Sequence, residues 1–299
     1  SLCALFLVAC SNQKQADGKL NIVTTFYPVY EFTKQVAGDT ANVELLIGAG
    51  TEPHEYEPSA KAVAKIQDAD TLVYENENME TWVPNLLKSM KDKKTKVIDA
   101  TKGMVLLPGL EEEHEHEGEE AESEEPEQDE HIWLSLRNAE VCTQAIADQL
   151  KKLDPSNKTE YEDNATAYKE ELTGLDKEYQ DTVEHAKRKT LLFADRFPFR
   201  YLADDYGLKY YAAFKGCSAE TEASFKTITF LANKVDEENL PYIMTIEGSD
   251  HKIAKSVISN TKKKTQQILT MDSMQSTTAE DVKDGKSDLS VMEENFSVL

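Results

Sequence analysis

SNKTEYEDNATAYKEELTGLDKEYQDTVEHAKRK, residues 156–189, decides how the rest of the chain is organised. Apolar and aromatic side chains recur in it at spacings of three and four: Tyr161, Ala165, Tyr168, Leu172, Leu175, Tyr179 and Val183. This periodicity predicts one amphipathic helix of about thirty residues, although Gly174 is a weak helix former. A continuous helix in the middle of a chain joins the parts on either side of it and limits hinge motion between them.

Short β-rich runs alternate with helical patterns on both sides of this helix. The runs are LNIVTTF (20–26), VELLIG (43–48), TLVYEN (71–76), KVIDA (96–100), TLLFAD (190–195), YYAAF (210–214), YIMTIE (242–247) and QQILTMD (266–272). This alternation is typical of parallel βαβ units. The sequence therefore predicts an α/β fold of two lobes, each with about four mainly parallel strands, facing each other across a cleft.

The expected boundaries follow from these patterns. We expect an N-terminal α/β lobe over residues 20–155, the linking helix over 156–188 and a C-terminal α/β lobe over 189–299. Because one helix joins the lobes, we expect the opening of the cleft to change little.

The N-terminal residues predict export. An apolar run ends in LVAC (7–10), and small and polar residues follow it at once. This pattern favours the remnant of a signal peptide with a lipobox, in which Cys10 carries the lipid and the residues up to 19 form a tether. The alternative is a frayed apolar terminus with a chance cysteine. We expect a lipid-anchored protein on the extracytoplasmic face of the cell membrane.

Charge is distributed unevenly along the chain. The formal net charge of −23 argues against a nucleic-acid partner, which would require clustered Lys and Arg. Residues 111–130, EEEHEHEGEEAESEEPEQDE, hold thirteen carboxylates, and removing them from −23 leaves −10. Such a stretch predicts a disordered loop. Its His114 and His116 fit two interpretations: a solubilising insert, or a weak collector of metal that feeds the cleft.

Two cysteines remain once Cys3 and Cys10 are assigned to the N-terminal segment. In an oxidising compartment, Cys142 and Cys217 would tend to form a disulfide, which would cross-link the two lobes. Two buried thiols are the alternative, and the spacing does not choose between them.

Polar residues that follow the predicted strands are candidates for the cleft, because ligands of parallel sheets bind beyond the carboxyl ends of the strands. They are Tyr27, His54, Glu75, Asp195, Arg196, Glu247 and Asp272, with His131 from the loop after the acidic run. Imidazoles together with carboxylates suit Zn²⁺ or Mn²⁺, although each histidine alone could be a solvated loop residue. Motifs of hydrolases and phosphate-binding loops are missing from the sequence, so we do not expect an enzyme.

Five stretches resemble one protein family. TTFYPVYEFTKQVAGD (24–39), PHEYEPSAKAV (53–63), HIWLSLRNA (131–139), YLADDYGL (201–208) and SVMEENF (290–296) are similar to the metal-specific substrate-binding lipoproteins of ABC importers, in particular the zinc-binding, ZnuA-like members. The resemblance spans nearly the whole chain from residue 20. It implies two (β/α)4 lobes joined by a single backbone helix. It also implies capture of Zn²⁺ or Mn²⁺ in the cleft by a monomer and delivery to a permease and ATPase complex.

The resemblance carries over to individual residues. It makes His54, His131 and Asp272 metal ligands, whereas the family's third ligand aligns with Arg196, whose guanidinium cannot bind a cation. We expect Glu247 to substitute for that ligand. Asp195 and His251 are alternatives, as is a three-ligand site completed by water.

Two other functions stay open at this point. One is a surface adhesion protein on the same scaffold. The other is a cleft retuned by Arg196 for a non-metal or chelated ligand.

Overall fold

A computed structural model describes residues 17–48, 51–90, 94–109, 128–216 and 222–299 of the 299-residue chain. Within them, two four-stranded sheets lie one in each half of the chain, and the paired strands of both sheets run parallel. The first sheet has the order β2-β1-β3-β4, from β1 Leu20–Thr24, β2 Ala41–Leu45, β3 Thr71–Tyr74 and β4 Lys96–Asp99. The second has the order β6-β5-β7-β8, from β5 Thr190–Phe197, β6 Lys209–Lys215, β7 Tyr242–Ile246 and β8 Gln267–Met271. The predicted α/β fold class is confirmed, and both sheets use the same strand order.

Helices cover the sheets and join the lobes. The first lobe has α1 Tyr27–Ala37, α2 Ala60–Asp68, α3 Val83–Ser89 and α4 Leu136–Leu153. The second has α6 Arg200–Tyr206, α7 Phe225–Glu238, α8 Lys252–Ser259, α9 Ala279–Lys283 and α10 Asp288–Val298. Between them runs α5 Lys158–His185, which is 28 residues long. No helix of the described residues combines the length and apolarity that crossing a bilayer requires.

The helix α5 buries the stripe that its sequence predicts. Its buried residues are Tyr161, Ala165, Tyr168, Leu172, Leu175, Tyr179 and Val183. The helix packs against α1 and α4 of the first lobe and against α6 and α10 of the second. One hydrophobic cluster consequently includes residues of both lobes, from Ile22 in β1 to Met271 in β8. The lobes therefore share a core.

Several of the predicted features lie outside the described residues. They are Cys10 with the lipobox, His114 and His116 of the acidic run, and Cys217. Cys142 is a free thiol, fully buried in α4, and burial raises its pKa well above the usual value. A free thiol at Cys142 contradicts the predicted disulfide with Cys217.

Candidate metal centre

Two histidines from separate loops of the first lobe meet at the cleft. His54 lies in a 3₁₀ turn, Pro53–Glu55, in the connection after β2. His131 immediately precedes a second 3₁₀ turn, Ile132–Leu134, ahead of α4. Their ring centroids are 5.4 Å apart, and the ring planes are inclined by 63°. The structure thus brings together the two residues that the sequence singled out.

Glu130 is the third member of this cluster. One ligand atom from each of His54, Glu130 and His131 lies within 4.8 Å of the others. His54 Nδ1 is 3.4 Å from Glu130 Oε1. Ligands of one tetrahedral Zn²⁺ stand roughly 3.4 Å apart, because each bond is about 2.0–2.2 Å long. A shift of about 1 Å in side-chain positions would therefore let the three share one ion.

Asp129 fixes the orientation of His131. Its Oδ1 lies 2.9 Å from His131 Nδ1 and accepts the backbone N–H of His131 at 2.9 Å. Both side chains are almost completely buried, at 3% and 1% exposed. A carboxylate only accepts hydrogen bonds, so Nδ1 is the nitrogen that carries a proton towards Asp129, and in the neutral ring Nε2 is the nitrogen with the lone pair. That tautomer is the one that ligates metals when a carboxylate stands behind the ring.

The second lobe reaches the cluster through the loop after β8. Gln275 Oε1 lies 3.2 Å from His54 Nε2, and Gln275 Nε2 donates to Ser273 Oγ at 3.1 Å. Trp133 Nε1 donates to the carbonyl of Ser273 at 2.8 Å, while its ring lies 5.3 Å from that of His131. This indole is 1% exposed and shields one side of the site from water.

Two buried carboxyl groups lie in the first lobe behind the site. Burial and the neighbouring charge of Glu80 raise the pKa of Glu75 well above its usual value, while the charge of His131 acts in the opposite direction. Neither side-chain oxygen of Glu75 has a hydrogen-bond partner within the described ranges. Burial raises the pKa of Glu80 to about 7, although Glu80 accepts hydrogen bonds from Thr25 and from the backbone of Glu75. Both acids lie in the interior of the lobe, at 1% exposed, and neither is in the three-residue cluster.

The two acids expected from the second lobe lie next to the site but outside the cluster. Asp272 pairs with Lys286, at 2.8 Å between Oδ2 and Nζ. Glu247 accepts the backbone N–H of Ser273 at 2.7 Å and also its hydroxyl. Burial and the charge of Asp272 raise the pKa of Glu247 to about 7. Their assignment as ligands stays a proposal.

Arg196 stands near the end of β5 beside Phe214 of β6. Together with Glu247 it lines a cavity of about 280 Å³ in the second lobe. No ion pair joins Arg196 to Glu247 in the described part of the chain.

The remaining sequence candidates have other roles. Asp195 accepts the backbone N–H groups of Arg196 and Ile246, at 2.8 and 3.0 Å, and so ties β5 to β7. His251 adopts φ 63° ahead of α8 and donates its backbone N–H to Ser249. Tyr27 is buried at the first position of α1.

Sequence reasoning missed Asp129 and Glu130. The acidic run 111–130 predicts disorder for both, and this prediction is wrong for them, because Asp129 is buried and hydrogen-bonded to His131 and Glu130 belongs to the cluster. A pairing between Pro108 and Gln128 closes the base of the segment. The signal that could have identified the two acids is their position directly before His131, since a loop that positions a ligand also positions its neighbours.

Fold and site together define a two-lobed α/β solute-binding protein with a histidine–carboxylate centre in its cleft. The chain belongs to the ZnuA family: residues 22–299 match the family described as zinc-uptake complex component A, periplasmic. This is a family of solute-binding proteins rather than of enzymes.

Named relatives cover the chain almost completely. It is 54% identical over 299 residues to the zinc-binding lipoprotein AdcA of Streptococcus pneumoniae serotype 4, covering 100% of this chain and 59% of AdcA. It is 40% identical over 303 residues to the high-affinity zinc uptake system protein ZnuA of Bacillus subtilis, covering 99% of this chain and 93% of that protein. The crystal structure of the Zn(II)-bound ZnuA-like domain of S. pneumoniae AdcA superposes with a TM-score of 0.77 at 48% identity, covering 94% and 97% of the two chains. The chain thus spans little more than half of AdcA but nearly all of its ZnuA-like domain.

Proposed function

We propose that this protein captures Zn²⁺ outside the cell membrane and delivers it to the permease and ATPase of an ABC importer. The observation that carries the proposal is the convergence of His54, Glu130 and His131, with ligand atoms within 4.8 Å of one another. The names of the relatives, zinc-binding lipoprotein and zinc uptake protein, support the choice of cargo.

The donor set favours Zn²⁺ over Mn²⁺, the second candidate ion. Two imidazole nitrogens and one carboxylate oxygen make three ligands of a tetrahedral site, and zinc binds nitrogen ligands more tightly than manganese does. Asp272 or Glu247 would supply the fourth ligand from the second lobe. Because the three ligands of the cluster all come from the first lobe, the second lobe closes the site rather than building it.

The place of action follows from the N-terminal sequence and the relatives. The lipobox cysteine Cys10 would hold the protein at the extracytoplasmic face, and one relative is named a lipoprotein. His114 and His116 would collect metal ahead of the cleft. We expect the protein to act as a monomer. A function confined to the surface, such as adhesion, would leave the buried tautomeric arrangement of Asp129 and His131 unexplained.

Alanine substitution of either cluster histidine tests the proposal. Each change removes one metal–nitrogen bond, so we expect His54→Ala and His131→Ala to weaken Zn²⁺ binding at least about tenfold. Competition against a chromophoric chelator, followed by direct metal analysis, measures the effect. The control is His185→Ala, because His185 is an exposed residue of α5 far along the chain from both loops.

A tight zinc site that persists in both cluster variants would place the metal elsewhere. A wild-type protein that retains no zinc in this competition would end the proposed function.

A further inference from the structure

Asp272 is already bound to a cation of the protein itself. Its Oδ2 lies 2.8 Å from Lys286 Nζ, and its Oδ1 accepts the backbone N–H of Met274 at 2.7 Å. Both partners of the ion pair are largely shielded, with side chains 21% and 26% exposed. Both carboxylate oxygens are therefore engaged, and one of them by a positive charge.

The fold holds Lys286 in this place. Gly285 adopts φ 100°, which turns the chain after α9 and is a conformation that glycine adopts without strain. The N–H of Lys286 donates to the carbonyl of Asp281 at 2.9 Å, and Ser287 next to it caps α10. These interactions fix the backbone on both sides of Lys286. The fold therefore positions its ammonium group beside Asp272.

The ion pair lies at the start of the loop that covers the metal centre. Asp272 is the first residue after β8, and Ser273 and Gln275 follow it in the same loop. Ser273 accepts the hydrogen bond of Trp133, and Gln275 contacts His54. The loop therefore presents Asp272 beside residues that already touch the first-lobe ligands.

We propose that Lys286 is a built-in competitor of the metal ion for Asp272. The inference rests on the proposed function, with Asp272 as the second-lobe ligand. An ammonium group and a divalent cation cannot both lie against one carboxylate, because like charges at such short distance repel strongly. Metal binding to Asp272 therefore requires Lys286 to swing its flexible stem away, and the return of Lys286 favours release. Lys286 would thus lower the affinity of the site and speed unloading.

Neutralising Lys286 should consequently tighten the site. We expect Lys286→Gln to strengthen Zn²⁺ binding about three- to tenfold and to slow zinc dissociation by a similar factor, within the range of ordinary coupling between two sites. The matched control is Lys283→Gln, an exposed lysine of α9 three residues away. It removes the same charge from the same region, so long-range attraction for the cation changes equally. Its effect should stay below about twofold.

A double-substitution cycle separates direct competition from general electrostatics. In an Asp272→Asn background, Lys286→Gln should no longer change the affinity, because the shared carboxylate is gone. Lys286→Arg keeps a cation in place and should stay close to the wild-type affinity. Melting temperatures of the metal-free variants identify any that fail to fold.

Two outcomes would overturn the inference while leaving zinc capture intact. One is that Lys286→Gln binds Zn²⁺ no more tightly than Lys283→Gln does. The other is a gain that persists with Asn at 272. Loss of zinc binding by the wild-type protein would instead refute the proposed function.

Discussion

At the scale of single residues, the hydrogen bond between Asp129 and His131 determines which nitrogen of His131 faces the metal site. The carboxylate holds a proton on Nδ1 and thereby leaves Nε2 as the ring nitrogen that can bind a metal. Since both side chains are nearly inaccessible to water, solvent cannot take over this task. Affinity at His131 should therefore depend on a residue that does not itself bind the ion.

Asp129→Asn tests this dependence. The amide oxygen can still accept the imidazole proton, but the negative charge that strengthens the imidazole as a ligand is lost. We expect Zn²⁺ binding to weaken roughly tenfold, the lower end of the effect of such supporting residues. Asp68→Asn, at an exposed position of α2, is the control for a lost carboxylate. Equal affinities in the two variants would show that Asp129 does not support the ligand.

The candidate site was only partly readable from the sequence. His54 and His131 stand out because histidine is rare in this chain, with six in 299 residues. His54 also follows a predicted strand, and His131 lies in the loop after the acidic run. Glu130 does not stand out, since it is one of thirteen carboxylates in a run whose charge density predicts disorder. The pairing of Asp272 with Lys286 was equally hidden, because their proximity depends on how α9 and the loop after it return to the end of β8.

At the scale of elements, the short helix α6 of the second lobe binds Leu107 and Asp129 of the first lobe. The hydroxyl of Tyr201 accepts the backbone N–H of Leu107 at 3.0 Å and donates to the carbonyl of Asp129 at 2.6 Å. The N–H of Asp129 in turn donates to the carbonyl of Leu107 at 2.8 Å. One buried tyrosine thus holds Leu107 and Asp129 together, two residues before His131.

Tyr201→Phe removes both hydrogen bonds and leaves two backbone groups without a partner. We expect the free energy of unfolding to fall by about 1–3 kcal/mol, the usual cost of such unsatisfied groups. Urea denaturation measures the change. Tyr242→Phe is the matched control, because Tyr242 is 46% exposed. A loss no greater than that of the control would mean that water replaces the hydroxyl at both groups.

The elements themselves were largely predictable. Each of the eight β-rich runs overlaps one of the strands in the described residues, because an apolar run between turn residues suits a buried parallel strand. The boundaries were less certain: the first run extends to residue 26, whereas β1 ends at Thr24 because α1 begins at Tyr27 with Pro28 in its first turn. The bond of Tyr201 to both ends of the acidic segment had no sequence signal, since it joins residues 94 and 72 positions apart.

At the scale of the whole molecule, Glu247 couples stability to pH. The group ordinarily releases its proton near pH 4.5, and in the folded protein near pH 7, chiefly because it is buried. Between these pH values the folded state holds more protons than the unfolded state, so the free energy of unfolding falls as the pH rises. The contribution is fully present below pH 4.5 and lost above pH 7.

Glu247→Gln should flatten this profile. Relative to its value at pH 4.5, the metal-free wild type should lose roughly 2–3 kcal/mol by pH 8 from this group, since each pKa unit corresponds to about 1.4 kcal/mol. Over the same pH range, the free energy of unfolding of Glu247→Gln should fall by roughly 2–3 kcal/mol less than that of the wild type. Denaturation at several pH values in the presence of a chelator gives the profiles, with the exposed Glu293→Gln as control. Parallel profiles for Glu247→Gln and the wild type would contradict the prediction.

The shared core around α5 has a consequence for the proposed delivery of metal. In a binding protein with independent lobes, closing the cleft lowers the apparent affinity, and reopening the cleft releases the ligand. Here the lobes share one hydrophobic core. Two hydrogen bonds also join them, from Trp133 to Ser273 and from Tyr201 to Asp129. We therefore expect metal binding to involve little movement of one lobe against the other. Under the proposed function, unloading would begin with local loosening of the loop from Asp272 onward, and a membrane partner would act on that loop rather than separate the two lobes.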